Sequence, residues 1–370
     1  MFRAIKVMSI PPLAPLATTV ICRRVTISSA IPKPTYHKIH QNFGVRVEGV
    51  DLTRWTPEFL KEEVSQALEK YGLLYFPRQF GVSPEMQFEL SRSMPDVDLS
   101  VSERNPFAPD EPCCQKELPS VRFLGSSHGT SEYRKDIIPE TYLGGGDWHS
   151  DGCGITTMVC DEGPDGSDPN VKQRETLFSC GYNAYECLTW DLKLKAVTLN
   201  CHIGCKHTMD ASIGEMYKKG LRMKDNGLRL LSEIDSSRLT KEELHARANT
   251  QTPMRWDDHS GPMVKRNPWT MKHTVLTWPM SLECIEGLEP EESRDLMEQI
   301  LTPGCTGDAV YAHPWTPGDL VIWDGRSTMH SSTNIIPQPQ LVRQCYLRTR
   351  TKMLPPDVKA HEEMFKQMCL

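Results

Sequence analysis

Two short motifs, far apart along the chain, constrain the fold most. Trp148-His149-Ser150-Asp151 sets a histidine and a carboxylate two positions apart. Much later the run Pro317-Gly318-Asp319-Leu320-Val321-Ile322-Trp323-Asp324-Gly325-Arg326-Ser327-Thr328-Met329-His330 closes on a second histidine. In an extended strand residues i and i+2 project to one side, so His149 and Asp151 can reach a common point while Ser150 turns away. Two imidazoles and one carboxylate form the set that holds Fe(II) on one face and leaves other positions open for a co-substrate and O2.

Around these motifs the strand and helix signals alternate only near the start. Gly44–Leu52 alternates apolar with other residues, as a strand does. Thr56-Pro57-Glu58 reads as an N-cap, a first-turn proline and an early carboxylate. Leu60, Val64, Ala67, Leu68 and Tyr71 follow at helical spacing and Gly72 stops the helix. Leu73-Leu74-Tyr75-Phe76 reads as a buried strand, and Ser83-Pro84-Glu85 starts another helix. From about 96 to 146 periodicity is lost, which predicts a lid over the substrate with Cys113, Cys114 and His128 in it. A surface loop is expected over 161–175, a strand at Thr176-Leu177-Phe178, a capping box at 240–243 and a helix over 290–301. Strands are expected over 319–324 and 341–349. This pattern favours a mainly β fold with flanking helices, a double-sheet jelly roll, over a doubly wound parallel sheet.

The charge is unevenly distributed. Residues 1–47 hold seven Lys or Arg and no Asp or Glu. The remainder, with 35 basic and 48 acidic residues, is acidic and unsuited to nucleic acid, whose phosphates it would repel. No apolar run reaches the roughly 18 residues of a membrane span. Segment 1–35, basic and rich in Ser, Thr, Ala and Pro, reads as a transit peptide or a disordered tail. The first reading implies a mitochondrion or plastid, the second the cytoplasm. The 13 cysteines include no CxxC pair. Buried thiols in a reducing compartment therefore account for them better than a zinc site at the cluster Cys201-His202-Ile203-Gly204-Cys205-Lys206-His207.

Taken together, Gly44–Asp51, Tyr71–Phe76, Trp148–Asp151, Glu175–Phe178 and Pro317–Arg348 resemble the taurine dioxygenase superfamily of Fe(II)- and 2-oxoglutarate-dependent oxygenases. The resemblance spans most of 40–350 and implies one oxygenase domain over 36–360. It implies that His149, Asp151 and His330 bind iron and that the Thr176 hydroxyl hydrogen-bonds 2-oxoglutarate. Hydroxylation of a C–H bond in a small molecule, with release of succinate and CO2, is the implied outcome; desaturation or ring closure would use the same residues.

The far carboxylate of 2-oxoglutarate calls for an arginine, whose planar fork grips both oxygens. Arg343 and Arg348 compete for that role, and five positions apart on a strand they face opposite ways. Arg343 shares its side with Cys345 and Leu347, an apolar set expected in the barrel interior. Arg348 shares its side with Gln344, Tyr346 and Arg350, expected outside. Arg343 is preferred on this ground, subject to a bulge shifting the register. Family members of the taurine type carry two arginines four apart here; with Arg343 as the first, the second is Leu347. Arg326 and Asp324 are expected to hold the loop before His330, Trp148 and Trp323 to wall the iron, and His128 and Cys153 to line the pocket. His202, His207 and His313 are read as structural. Two rivals stay open: a zinc hydrolase using the same three ligands, and a non-catalytic binding protein of this fold. A small-molecule substrate is the expected partner, and a homo-oligomer is compatible with the sequence.

Overall fold

The computed structural model describes residues 33–98, 120–126, 148–164, 175–203, 207–208, 229–230, 259–276, 282–332 and 340–368. Residues 1–32 of the basic N-terminal segment, Cys113, Cys114, His128 and the capping box expected at 240–243 lie outside them. Among the described residues no helix is long and apolar enough to cross a membrane.

Both N-caps read from the sequence are formed. The Thr56 hydroxyl accepts from Phe59 N (3.2 Å) and the Ser83 hydroxyl from Met86 N (3.2 Å), each ahead of a first-turn proline. The first helix, α1, runs over 57–71 through a π-helical segment at Leu60–Val64. It ends at Gly72, whose φ of +74° suits glycine. The second, α2, is Pro84–Arg92.

Two sheets build the body. The strands are β1 (Thr35–Lys38), β2 (Val45–Glu48), β3 (Leu73–Phe76), β4 (Val121–Ser126), β5 (Gly154–Glu162), β6 (Glu175–Cys180), β7 (Val310–Pro314), β8 (Leu320–Asp324), β9 (Thr328–Ser332) and β10 (Gln340–Arg348). Seven of them form one sheet in the order β1-β2-β3-β8-β5-β10-β4, and three form the other, β7-β6-β9. Pairing is antiparallel throughout except where β2 lies beside β3. Short strands between β6 and β7 make separate small sheets.

Side-chain alternation sorts the core into three layers. Leu74, Phe76, Ile155, Val159, Leu320, Ile322, Cys345 and Leu347 project from the large sheet onto α1 and α2. Leu73, Met158, Val321, Trp323 and Val342 project from its other face and meet Phe178 and Cys180 of the small sheet. Leu177 and Met329 turn outward from the small sheet to a third cluster, against the helix Pro290–Cys305. The large sheet is therefore covered on both faces, which is why Leu73–Phe76 and Leu320–Trp323 are apolar at every position rather than alternating. This is the expected jelly roll with flanking helices.

Three expectations are revised, two of them by strand pairing. The aperiodic region contains β4, a strand held at the sheet edge by β10. Asp161 and Glu162 belong to the end of β5 rather than to a loop, because β10 pairs along that length. The helix expected over 290–301 continues to Cys305 and starts with a capping box between Glu289 and Glu292.

Candidate active site and metal centre

His149 reaches the small sheet through its backbone. It forms an isolated antiparallel bridge with His330, His149 N–H donating to His330 O (2.9 Å) and His330 N–H to His149 O (2.8 Å). Directly opposed residues on an antiparallel pair stand close together, so the bridge brings both imidazoles to one side. Their ring centroids are 4.2 Å apart. Ser150 turns away, its hydroxyl donating to Gly325 O, which frees Asp151 to point back at the histidines. The Asp151 Oδ2 oxygen lies 4.0 Å from His330 Nε2 and accepts from the Thr156 hydroxyl at 2.7 Å.

One donor atom from each of His149, Asp151 and His330 lies within 4.8 Å of the other two, and among the described residues this is the one such His/Cys/Asp/Glu group. The donors fit an iron of the facial type. Burial, reinforced by the neighbouring His149, pushes the His330 imidazole down to about 3, so at neutral pH the ring is uncharged and its lone pair is available. Thr156 orients the carboxylate. Behind His330 stand Trp323 (5.0 Å between centroids) and Phe178 (6.2 Å), which keep bulk water from that side. Trp148 plays no part in that wall, being buried in the cluster on the outer side of the small sheet.

Thr176 lies on β6 two residues from Phe178, which is paired with His330, and so faces the same interior. Its hydroxyl accepts from the Trp315 indole N–H (2.8 Å), leaving the hydroxyl hydrogen for a ligand.

The two arginines of β10 face opposite to expectation. Arg343 is paired across the sheet with Val159, on the helix-covered side. Its Nε is 2.7 Å from Asp161 Oδ2 and its Nη2 donates to Val82 O (2.7 Å), while Gln87 of α2 donates to its carbonyl. It is 1 % exposed. Burial pushes the Asp161 carboxyl up, against the opposing pull of this guanidinium. Gln344, Tyr346 and Arg348 share the side of Met158 and Thr156, which is the interior. Arg348, exposed, stands at the end of β10 opposite Gly154, two residues beyond Tyr346. The apolar set Cys345 and Leu347 marked the face under the helices, not the inside of the barrel.

Arg326 and Asp324 hold the loop before His330 as expected. Arg326 makes a forked contact with Asp324 (2.9 Å through Nε, 3.0 Å through Nη2) and reaches Asp96 through Nη1 (2.8 Å). Asp96 in turn accepts from the backbone and hydroxyl of Thr351. The Trp269 ring covers the guanidinium at 3.7 Å. Asp96, Trp269, Thr156, Tyr346 and Asp161 were not singled out in the sequence. Strand alternation would put Thr156, five positions from Asp151, on the opposite face, and of the others only Tyr346 carries a local signal, its place on the Arg348 side of the strand. Cys153 is half-buried between two glycines, and Cys201 is a buried thiol, pushed up to about 12 by burial. His313, buried, lies beside Tyr311 (2.9 Å) and Asp319 (3.4 Å), a structural setting.

A double-sheet jelly roll that gathers a His-x-Asp pair and a distant histidine at one end of its interior defines an iron oxygenase of the keto-acid-using class. Comparison with known proteins agrees. Residues 35–346 match the family "Taurine catabolism dioxygenase TauD, TfdA family", and the chain belongs to that family. It is 25% identical to the (S)-phenoxypropionate/alpha-ketoglutarate-dioxygenase of Sphingobium herbicidovorans, over 78% of this chain and 84% of that protein. It is 24% identical to the alpha-ketoglutarate-dependent xanthine dioxygenase xan1 of Schizosaccharomyces pombe, over 86% and 87%. Among solved structures, a taurine dioxygenase from Burkholderia xenovorans superposes with a TM-score of 0.57 at 17% identity, covering 88% of this chain and 94% of that one. AAD-2 in complex with Mn(II) and N-oxalylglycine gives 0.57 at 19%, covering 87% and 99%. These two likenesses bear on the fold alone. The protein is a 2-oxoglutarate-dependent dioxygenase that oxidises a small molecule with Fe(II) as its metal. The zinc hydrolase and the non-catalytic reading give way.

Proposed function

We propose that the enzyme hydroxylates an unactivated C–H bond of a small molecule, with Arg348 and Thr176 receiving the 2-oxoglutarate carboxylate. The observation that carries this reading is the facing of β10. Arg348 lies on the metal side of the sheet and is exposed to an incoming ligand, whereas Arg343 is buried on the far side with Asp161 as its partner. A guanidinium already paired in a helix-covered layer cannot turn to a ligand between the sheets without leaving a buried carboxylate alone. Thr176 supports the same reading, since its hydroxyl hydrogen is not used by Trp315.

When bound, the iron supplies the oxidising chemistry that couples decarboxylation of the keto acid to attack on the substrate. The protein's own contributions are geometric and electrostatic. His149, Asp151 and His330 would hold the metal, Thr156 keeps the Asp151 carboxylate oriented, and Trp323 with Phe178 covers the back of His330.

On the interior face the four-residue spacing that carries two arginines in taurine-type members falls on Gln344 and Arg348. With Arg348 engaged by the keto acid, the other position of that pair, Gln344, offers an amide instead of a second cation. That favours an uncharged substrate with hydrogen-bonding edges over a sulfonate. The test is succinate release under a panel that includes xanthine and other oxopurines, an aryloxypropionate and taurine. Turnover coupled to an oxopurine supports the reading, and coupling to taurine alone overturns it. Anaerobic addition of 2-oxoglutarate to the Fe(II) protein should give a weak visible charge-transfer band that is lost in His149→Ala and weakened in Arg348→Gln.

A further inference from the structure

Tyr346 occupies a place that neither the metal ligands nor the keto-acid contacts explain. It stands on β10 paired with Thr156, the residue whose hydroxyl orients Asp151, and two positions before Arg348 on the same face. Its ring lies against the chain just after the His-x-Asp motif. A Cβ added at Gly154 would stand 2.2 Å from the ring carbon Cε2, 2.6 Å from Cζ and 2.8 Å from the hydroxyl oxygen. At Gly152, whose φ is +81°, a Cβ would lie 3.9 Å from that oxygen. Only bare backbone at 154 admits the ring, so the sequence Asp151-Gly152-Cys153-Gly154 forms a seat for it.

The seat delivers a polar atom to a specific place. Arg348 is paired across the sheet with Gly154, the residue the ring lies against, so the phenol and the guanidinium share one stretch of backbone, where Arg348 and Asp151 are the charged groups that act on the phenol most. A phenol can both accept from a guanidinium and offer a hydrogen of its own. A phenylalanine would fill the same shape without the cost of burying a hydroxyl. A long arginine side chain at a strand end is otherwise free to sweep through many rotamers, and ordering it in advance reduces what ligand binding must overcome.

We infer that Tyr346 is a positioning residue: seated on Gly152 and Gly154, its hydroxyl holds the Arg348 guanidinium beside Asp151, in the orientation that meets the carboxylate of the keto acid. The inference rests on the reading of Arg348 given above and extends it. It also accounts for Gly154, which metal binding by itself does not require.

The experiment is an anaerobic titration of the Fe(II) protein with 2-oxoglutarate, read by the charge-transfer band, in the wild type, Tyr346→Phe, Arg348→Gln and the double variant. Tyr346→Phe keeps the ring and its seat, so its melting temperature should match the wild type. Its half-saturating concentration should rise about tenfold, as expected for one lost hydrogen bond to a charged group, with the saturated band intact. In turnover, KM for 2-oxoglutarate should rise while kcat stays within about twofold. Gly154→Ala, which evicts the ring, should reproduce the weak binding. The double variant should bind no more weakly than Arg348→Gln, because the hydroxyl acts through the arginine. If Tyr346→Phe titrates like the wild type while Arg348→Gln is weakened, the positioning role falls and the reading of Arg348 stands. If the two effects multiply in the double variant, the hydroxyl acts independently and the inference also falls. If Arg348→Gln binds normally, the reading of Arg348 fails and takes the inference with it.

Discussion

The backbones of His149 and His330 exchange both of their hydrogen bonds, at 2.9 and 2.8 Å, so the two metal-binding histidines are registered by main chain rather than by the metal. Because the bridge does not involve the imidazoles, His149→Ala should fold with nearly the wild-type melting temperature of the metal-free protein. It should lose Fe(II) binding and at least about a thousandfold of succinate release, since a facial site of this kind loses one of its three anchors. Equilibrium binding of Fe(II) and coupled turnover measure the two effects; a variant that still binds iron with wild-type affinity would contradict the assignment.

Arg343 and Asp161 form a nearly buried pair between the large sheet and α2. Arg343→Met should destabilise the protein by about 3–5 kcal/mol, the usual result of leaving one buried charge alone. The double change Arg343→Met with Asp161→Leu should recover most of that loss. Urea denaturation of the four proteins checks it. The half-saturating 2-oxoglutarate concentration of the folded single variant should stay close to wild type, which separates this arginine from Arg348.

The Asp324–Arg326–Asp96 network ties the loop before His330 to the residues following α2 and to Thr351. Asp96→Ala removes one of the two carboxylates on Arg326 and the single oxygen that accepts both Thr351 bonds, and should cost roughly 2–4 kcal/mol by the range for hydrogen bonds to charged groups. Because that loop leads into β9, metal affinity should fall with stability. Thermal unfolding with and without Fe(II) would show it as a smaller metal-induced rise in Tm.

The pH dependence of the metal-free protein has a definite sign. The folded His330 imidazole titrates at about 3, whereas in the unfolded chain it takes up its proton near its ordinary value of 6.5. The unfolded state therefore binds more protons between those limits. Its contribution to stability is complete above about 6.5 and is lost progressively as pH falls towards about 3. Comparing denaturation of wild type and His330→Gln across this window isolates the effect, and the variant should show the shallower decline on acidification.

Much of the architecture could be read directly from the residues. The N-caps at Thr56 and Ser83, the stop at Gly72, the wholly apolar strands at Leu73 and Leu320, and the His-x-Asp pair with its distant histidine are local patterns whose physics does not depend on the rest of the chain. They determined the elements, the jelly-roll class and the metal ligands. Strand alternation also established that Arg343 and Arg348 point to opposite sides. It did not establish which side is the interior. That inference used apolarity as the sign of a core, and here the large sheet has a core on each face, one between the sheets and one under α1 and α2. Only the pairing of β10 against β5 and the docking of α2 distinguished them. The same holds for Tyr346 and for Asp96: their partners come from remote strands and loops, so their roles exist only once the chain has closed on itself.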